Sequence, residues 1–137
     1  MASKFKLEIV TPERKFYDDD VDMVVVRGTE GKMGILKDHI PLVTPLAIGM
    51  IEIEDDGEKK IAAVSEGYVE VGEEKTTIIS DTAEWPEEID IKRAEQAKER
   101  AEKRLNKNTK NIDTMRAEIA LRKAVTRIEV AKIRSGK

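Results

Sequence analysis

Residues 85–94 read Trp85-Pro86-Glu87-Glu88-Ile89-Asp90-Ile91-Lys92-Arg93-Ala94, and the periodicity of the sequence changes within them. Before this stretch, apolar residues recur at every second position, as in Phe5-Lys6-Leu7-Glu8-Ile9, which is typical of half-buried β-strands. After it, the apolar period is helical. Pro86 suits the first turn of a helix, and Glu87 and Glu88 follow where the helix dipole favours negative charge. We therefore expect two domains, residues 1–85 and 86–137.

Short apolar segments and frequent turn signals fill the first domain. Residues 51–54 alternate, while residues 21–26 and 61–64 are nearly continuous apolar runs that predict the most buried strands. Strands this short and closely spaced favour an antiparallel β-sandwich or barrel. The turn signals are Thr11-Pro12, Asp18-Asp19-Asp20, residues 28–34, Lys37-Asp38-His39, Asp55-Asp56-Gly57, Glu66-Gly67 and Gly72-Glu73.

The second domain carries an internal repeat. Residues 89–94 are similar in sequence to residues 112–117, which lie 23 positions later, so we predict two similar helices. Residues 106–111 would connect them as an antiparallel hairpin. Alanine-rich faces bury little area at ~25 cal/mol per Å², so the hairpin should need the sheet domain, a ligand or a partner. These faces are Ala94, Ala97, Ala101 and Leu105 on the first helix, and Ala117, Ala120, Leu121, Ala124, Ile128 and Ala131 on the second.

Two further stripes run along the predicted helices. An apolar stripe on the second helix either docks on the sheet domain or is offered to another protein. Cations beside each alanine face form either a solvated basic surface or an anion site suited to a polyphosphate. From the residues alone, both alternatives stay open. The apolar stripe is Ile112, Met115, Ile119, Val130 and Ile133; the cations are Arg93, Arg100, Arg104, Arg116, Lys123, Arg127 and Arg134.

Composition excludes several classes of protein. The chain has no cysteine and one histidine, His39, so disulfide scaffolds, thiolate zinc sites and multi-histidine metal sites are excluded. The net charge of −3 divides into −9 for residues 1–85 and +6 for residues 86–137, so the two domains should face different partners. The basic domain lacks aromatic residues for base stacking, so no nucleic-acid partner is expected. No apolar run approaches the ~20 residues of a membrane span, and we expect a cytoplasmic protein.

Other candidate sites are weaker. Residues 28–33, Gly-Thr-Glu-Gly-Lys-Met, have too short a glycine spacing for a phosphate loop, and Met33 stands where a magnesium-binding hydroxyl would be required. The carboxylates of Asp18, Asp19, Asp20 and Asp22 lack the spacing of a calcium loop, so a solvated turn is expected there and no metal site is predicted.

Three motif blocks, in order along the whole chain, resemble the epsilon subunit of bacterial F-type ATP synthases. The opening strands are Ile9-Val10-Thr11-Pro12 through Val21-Asp22-Met23-Val24. The central loop motif is Gly31-Lys32-Met33-Gly34-Ile35-Leu36 with His39-Ile40-Pro41-Leu42. Residues 89–94 match the I/L-D-x-x-R-A nucleotide motif of that family.

The resemblance implies a ten-stranded β-sandwich followed by the helical hairpin, and a non-catalytic rotor subunit. In that family the sandwich binds the gamma subunit and the c-ring, at the cytoplasmic face of the bacterial plasma membrane. The hairpin moves between a compact form and an extended form that reaches the catalytic alpha and beta subunits and inhibits ATP hydrolysis. The implied contacts with gamma or the c-ring fall on Glu30, Gly31, Lys32, His39 and Pro41.

In some bacterial members ATP, with or without Mg²⁺, binds the hairpin as a regulatory ligand and favours the compact form. Lys123 stands where arginine is usual, which replaces a bidentate phosphate contact by a point charge. Lys32-Met33 replaces an acidic-apolar pair, and Lys37-Asp38 stands where Pro-Gly is common. The ATP contacts implied by the resemblance are Glu84, Ile89, Asp90, Arg93, Ala94, Arg100, Lys123 and Arg127.

Two other functions compete with this interpretation. The chain could be a free-standing ATP-sensing module that acts outside any rotor. It could instead be an enzyme, but no nucleophile and base pair and no metal constellation is recognisable in the sequence.

Overall fold

A computed structural model describes residues 3–107 and 111–135 of the chain, with side chains described for residues 3–107 and 114–133. The chain divides into two units, Met1–Glu84 and Trp85–Lys137. Unit one contains ten strands: β1 Phe5–Val10, β2 Lys15–Val21, β3 Met23–Gly28, β4 Gly31–Ile35, β5 Leu42–Leu46, β6 Gly49–Asp55, β7 Glu58–Val64, β8 Gly67–Val71, β9 Lys75–Ser80 and β10 Ala83–Glu84. Unit two contains a 3-10 helix, Pro86–Glu88, and two α-helices, α1 Ile91–Lys107 and α2 Asn111–Ser135.

The ten strands form one continuous sheet in the order β10-β7-β6-β3-β5-β8-β9-β1-β2, and β4 pairs with β3. This confirms the predicted β-sandwich of about ten strands followed by two helices. Neighbouring strands are antiparallel except β1 and β9, which are parallel, with Leu7 opposite Thr76 and Ile9 opposite Ile78. These two strands are far apart in sequence, so no hairpin turn fixes their relative direction.

Alternate residues of the strands build an aliphatic core. Leu7 and Ile9 of β1 are 0% exposed, as is Ile78 of β9. Because side chains alternate between the two faces of a strand, Glu8 and Val10 lie on the opposite face of β1. The period of two in the sequence therefore correctly marks which residues enter the core.

Two predicted turns are wrong in whole or in part. Of residues 28–34 only residues 29 and 30 form a turn, because β3 extends to Gly28 and β4 begins at Gly31. Asp18, Asp19 and Asp20 lie within β2, not in a turn. β2 is at one end of the strand order and pairs with β1, and all three aspartates are exposed. An edge strand tolerates charged side chains because one of its sides has no neighbouring strand, and such charges discourage pairing with other chains.

Other turn signals are confirmed by the backbone. Asp56 and Gly57 have φ values of 52° and 81°, and they join β6 to β7. Positive φ at both central residues is the geometry of a type I′ hairpin, which favours Asp-Gly. Asp38 has φ 69°, so its backbone is in the left-handed region. This is the position where relatives of the family that the chain resembles commonly have the glycine of a Pro-Gly turn. Aspartate tolerates that conformation better than most residues.

The helical unit begins later than the sequence predicts. Pro86 starts a 3-10 helix in which the Glu88 carboxylate accepts the Trp85 backbone N–H at 2.9 Å, and α1 starts only at Ile91. Asp90 precedes α1, and its Oδ1 accepts the backbone N–H of Arg93 at 3.1 Å. An aspartate whose side chain accepts this N–H is an N-cap. The helix α1 therefore begins directly after Asp90, because the Asp90 side chain accepts a backbone N–H of its first turn and Pro86 does not.

α1 and α2 pack against each other through small residues. Ala94 and Ala101 of α1 are 4% and 2% exposed, and Ala117 and Ala124 of α2 are 0% and 1% exposed, as the alanine-rich faces predict. The connector was predicted to span residues 106–111, but Asn106 and Lys107 belong to α1 and Asn111 belongs to α2. Residues 108–110 lie outside the described part of the chain. In the described ranges, no helix combines the length and hydropathy that crossing a membrane requires.

The predicted apolar stripe of α2 is only partly exposed. Met115, Ile119 and Ile133 are 63%, 40% and 43% exposed, whereas Val130 is fully buried. The stripe is therefore covered at Val130 and exposed at the other three described positions, and α2 packs against the 3-10 helix as well as against α1. The side chains of Ile112 and Arg134 lie outside the described residues.

Gly67, at the start of β8, marks the closest approach of two strands. A Cβ atom built on Gly67 would lie 1.8 Å from the backbone oxygen of Ile79 in β9. The buried residues Ser65 and Ser80 lie beside it, and their polar groups have hydrogen-bond partners. The Ser65 N–H donates to Ser80 Oγ at 3.1 Å, and the Ser80 hydroxyl donates to the backbone oxygen of Thr82 at 2.7 Å. This end of the sheet has no room for a larger residue at position 67.

We therefore expect Gly67→Ala to lower the free energy of unfolding by about 2 kcal/mol or more, because β8 and β9 must separate. Urea unfolding followed by circular dichroism measures the change. Gly34→Ala is the matched control, because its Cβ would meet only Met23 Sδ at 3.8 Å, and we expect a change within about 1 kcal/mol. Equal stability of the two variants would contradict the close approach.

Candidate functional site

The residues predicted to bind ATP are distributed over both units. Glu84 is half-buried in β10, at the end of unit one. The other seven belong to unit two: Ile89 and Ala94 are buried, Asp90, Arg93 and Arg100 are exposed, and Lys123 and Arg127 are half-buried on α2. The sequence motif therefore divides into two apolar positions that pack and polar positions that reach the surface.

Asp90 has a structural role in addition to its predicted one. Its carboxylate caps α1 through the Arg93 N–H, and its carbonyl oxygen accepts the Ala94 N–H at 3.0 Å. Ala94 is buried, so the motif Ile-Asp-x-x-Arg-Ala also describes a helix start followed by a residue of the helix seam. Part of the motif is thus explained by helix capping alone.

The cations of the hairpin keep the spacing that the sequence predicts. Arg93 and Arg100 are two turns apart on α1, and Lys123 and Arg127 are one turn apart on α2, so each pair shares one face of its helix. Lys123 and Arg127 are half-buried, which is unusual for cations on a purely solvated surface. The three guanidinium groups and the Lys123 ammonium group have the chemistry to bind phosphate oxygens.

The predicted contacts with gamma or the c-ring form two separate groups. Glu30, Gly31 and Lys32 lie at the β3–β4 turn, all exposed. His39 and Pro41 lie in the connection from β4 to β5, where His39 Nδ1 is 2.8 Å from the oxygen of Ile40. β4 has five residues and runs between the two groups, so they are roughly 15 Å apart at about 3.3 Å per residue. The two groups lie at opposite ends of β4.

The outer face of the sheet carries a partly exposed apolar row that was not predicted from the sequence. Pro45 pairs with Tyr68, Tyr68 with Ile79, and Ile79 with Val10, so these four residues cross β5, β8, β9 and β1; we call them the outer apolar row. Tyr68 and Ile79 are 58% and 48% exposed, and the nearby Val43 of β5 is 67% exposed. The signal was present in the sequence, because Tyr68 and Ile79 are out of phase with the buried Val69 and Ile78.

An ionic row lies next to the outer apolar row. Glu8 of β1 binds Lys75 Nζ at 2.6 Å and Lys15 Nζ at 3.1 Å, and Lys15 also binds Asp18 at 3.3 Å. Hydrogen bonds from Lys75 and then Lys15 hold the pKa of Glu8 below its ordinary value. These pairs join β9, β1 and β2 on the outer face, beside the apolar row.

The predicted acidic cluster is not one group. Asp18 pairs with lysines, whereas Asp22 lies with Asp55 and Asp56, close enough for three carboxylates to share a cation. Lys4 already binds both Asp55 and Asp56, and these partners raise the pKa of Lys4. Asp22 Oδ2 accepts the Asp56 N–H at 2.8 Å. An ammonium group therefore pairs with two of the three carboxylates of this group.

Both units match known families. Residues 4–86 match the family described as ATP synthase, Delta/Epsilon chain, beta-sandwich domain, and residues 87–132 match ATP synthase, Delta/Epsilon chain, long alpha-helix domain. The ATP synthase epsilon chain of Alkaliphilus metalliredigens is 54% identical over 132 residues, which are 96% of this chain and 98% of the relative. The ATP synthase epsilon chain of Caldanaerobacter subterraneus subsp. tengcongensis is 49% identical over 132 residues, 96% of each chain.

Two solved structures of ATP synthases contain chains with a similar fold. A chain in the cryo-EM structure of the Euglena gracilis mitochondrial ATP synthase (OSCP/F1/c-ring, rotational state 1) has a TM-score of 0.81 and 26% identity, covering 96% of this chain and 82% of that chain. A chain in the central stalk and c-ring structure of the Tetrahymena thermophila mitochondrial ATP synthase has a TM-score of 0.58 and 16% identity, and the match covers 98% of both chains. At this identity the match supports the fold only.

The β-sandwich and the helical hairpin together define a stalk-type accessory subunit, not an enzyme with its own active site. The chain belongs to the ATP synthase delta/epsilon chain family, so the resemblance stated from its motifs is confirmed.

Because Asp90 caps α1, we expect Asp90→Ala to destabilise that helix by about 1 kcal/mol, since the Arg93 N–H loses its acceptor. Asp90→Asn keeps a capping side chain and should cost only a few tenths of a kcal/mol. Hydrogen exchange of the α1 amides measures both changes. Equal protection in the two variants would contradict the capping role.

Proposed function

We propose that this chain is the central-stalk subunit that links gamma to the c-ring in an ATP synthase, and that its hairpin restrains ATP hydrolysis. The observation that carries the stalk role is the outer apolar row. A tyrosine 58% exposed and an isoleucine 48% exposed side by side are typical of a surface that another protein covers. The family match and the structural neighbour in an F1/c-ring complex support the same role.

The two groups of predicted contacts suit two partners. We assign the outer apolar row, with His39 and Pro41, to gamma, because an apolar sheet face fits a large packed interface. We assign Glu30, Gly31 and Lys32 to the c-ring, because they lie at an exposed turn at the opposite end of β4. Such a subunit is a peripheral protein at the cytoplasmic face of the plasma membrane.

The hairpin is suited to act as a two-state element. The buried residues of α1 are Ala94 and Ala101, which contribute little hydrophobic stabilisation, so a few kcal/mol of ligand or partner contact can change its position. Met115, Ile119 and Ile133 remain exposed and are available to gamma or to the catalytic alpha and beta subunits in an extended form.

ATP is proposed as the ligand that holds the hairpin compact. The basic charge of residues 86–137 and the half-buried Lys123 and Arg127 favour a polyphosphate over a neutral ligand. Asp90 or Glu84 would accept hydrogen bonds from the base or the sugar. A free-standing ATP sensor would share this site, but it would not require the outer apolar row.

Assembly separates the stalk role from the free-standing sensor. We expect this chain to rebind the ATP synthase of its own organism after that enzyme has been stripped of it. Tyr68→Asp should weaken rebinding by about tenfold or more, because it places a charge in the apolar interface. Tyr68→Phe keeps the ring and should stay within about threefold. Failure of the unaltered chain to rebind would contradict the stalk role.

Calorimetric titration with ATP and then ADP tests the regulatory site. The double variant Asp90→Asn with Arg93→Gln should lose ATP binding by tenfold or more while the α1 cap is preserved. Arg127→Ala should cost about 1–3 kcal/mol, and Lys123→Arg should tighten binding by restoring a guanidinium fork. The matched control is Arg122→Gln, an exposed cation on α2 outside the predicted set.

If Arg122→Gln weakens ATP as much as the double variant does, the interaction is general electrostatics and not a site. If the unaltered chain binds no ATP at millimolar concentration, regulation has to come from contacts of the hairpin with other subunits. The stalk role does not depend on either result.

A further inference from the structure

One edge of the sheet is open to another strand. β4 pairs with β3 on one side, and among the described residues it has no other partner strand. Its sequence contains no proline, and its ladder with β3 continues without a bulge. Gly31 and Gly34 are exposed, and because glycine has no side chain, the exposed atoms at these positions are backbone atoms. We call this side of the strand the β4 edge.

The other edges of the sheet are protected. β10 has two residues, and β2 carries the exposed carboxylates of residues 18–20. β5, which pairs with β3 only at Leu46, contains Pro45. Short strands, charges and proline are features that prevent an edge from pairing with other chains. The β4 edge has one such feature, the exposed charge of Lys32, so it is the edge most open to a further strand.

The peptide groups of Lys32 and Gly34 are directed towards the open side of β4. β4 and β5 lie on opposite sides of β3, and the carbonyl oxygen of Arg27 in β3 accepts the Ala47 N–H at 2.9 Å on the β5 side. The peptide groups of Arg27 are therefore turned away from β4, and those of its partner Lys32 are turned away from β3. Because this orientation recurs at every second residue, the same holds for Gly34.

A pair of cations lies beside the β4 edge. Arg27 and Lys32 are directly opposite each other in the antiparallel ladder, and both are exposed. Side chains approach most closely in a pair without mutual backbone hydrogen bonds, and like charges in this position repel each other. Within residues 3–107 and 114–133 neither cation forms an ion pair. A carboxylate beside them would offset this repulsion.

The side chains of β4 specify the pattern of a matching strand. Ile35 is buried and Met33 is half-buried on the inner face, whereas Lys32 is exposed on the outer face. A strand added beside β4 would place apolar side chains next to Met33 and Ile35 and polar ones next to Lys32. The edge therefore fits an extended segment in which apolar and polar residues alternate and at least one polar residue is acidic.

We propose that the β4 edge binds an extended segment of gamma, which adds a strand to the sheet and places a carboxylate beside Arg27 and Lys32. This inference rests on the proposed stalk role for the existence of the partner. Gamma is the source because the β4–β5 connection, where His39 and Pro41 are assigned to gamma, follows directly from the end of β4. Lys32 lies where this edge meets the turn assigned to the c-ring.

Rebinding to the F1 part of the enzyme, stripped of this chain and free of the c-ring, tests the backbone contact. Gly34→Pro should weaken rebinding about tenfold or more, since the added strand loses a hydrogen bond and meets the proline ring. Gly34→Ala keeps the N–H, its Cβ meets only Met23 Sδ at 3.8 Å, and rebinding should stay within about threefold. Thermal unfolding of each free variant checks that it is folded.

Hydrogen exchange of the unaltered chain tests the same contact without a substitution. In the free chain the Gly34 amide should exchange about a hundredfold faster than the Met33 amide, because Gly34 points to solvent and Met33 to β3. Binding to F1 should slow Gly34 about tenfold or more and leave Met33 unchanged. Isotope-labelled chain is exchanged on F1, released under quench conditions and measured by NMR.

Lys32→Glu tests the proposed carboxylate. It should weaken rebinding to F1 about fivefold or more at low salt, and the loss should shrink as salt screens the charges. Lys103→Glu makes the same change of charge at an exposed position of α1 that has no assigned contact, and rebinding should stay within about twofold. Equal losses for the two variants would contradict a carboxylate beside the cation pair.

Protection of Gly34 on F1, with weaker rebinding of Gly34→Pro than of Gly34→Ala, supports a strand from gamma. An unprotected Gly34 amide in the assembled chain, or equal rebinding of the two Gly34 variants, would mean that no strand pairs with β4. Protection that requires the c-ring would mean another source, and protection that rises with the concentration of the free chain would mean a second copy. Each of these results overturns the inference and leaves the stalk role intact, whereas failure of the unaltered chain to rebind the complete enzyme removes both.

Discussion

The parallel pairing of β1 with β9 is the constraint on which the functional surfaces of the sandwich depend. It joins the first strand of the chain to one of the last and places Val10 opposite Ile79 and Glu8 opposite Thr77. The outer apolar row and the neighbouring ionic row both follow from this register. A shift by one residue would turn Leu7 and Ile9 outward and place the Glu8 carboxylate in the aliphatic core, so the core itself holds the register in place.

The helical unit obeys a different constraint, which is the small size of the residues between its helices. Alanines on α1 and α2 allow close packing but supply little hydrophobic stabilisation. The Asp90 cap at the start of α1 is therefore important, because it contributes stability that the core does not. The proposed regulatory role of the hairpin rests on this small apolar core between its helices.

The sequence predicted the elements well where local patterns specify them. The period of two gave the inward residues of the strands, Asp-Gly marked the β6–β7 turn, and the internal repeat gave the two helices. It failed where neighbours decide the outcome. Asp18, Asp19 and Asp20 have the composition of a turn but lie in β2 because β1 supplies their hydrogen bonds. For the apolar stripe of α2 the sequence left open whether it is covered; in the structure Val130 is buried and Met115 is exposed, and α2 packs against the 3-10 helix as well as against α1.

The same division holds for the sites. The sequence by itself determined the two-domain order, the helix start with its Ile-Asp-x-x-Arg-Ala motif, and the charge difference between the domains, because these depend on residues close together in the chain. Only the tertiary structure decided that Pro45, Tyr68, Ile79 and Val10 form one row and that Lys4 pairs with Asp55 and Asp56. Each of these joins residues far apart in sequence, and their register and ion pairs exist only once the strands have paired.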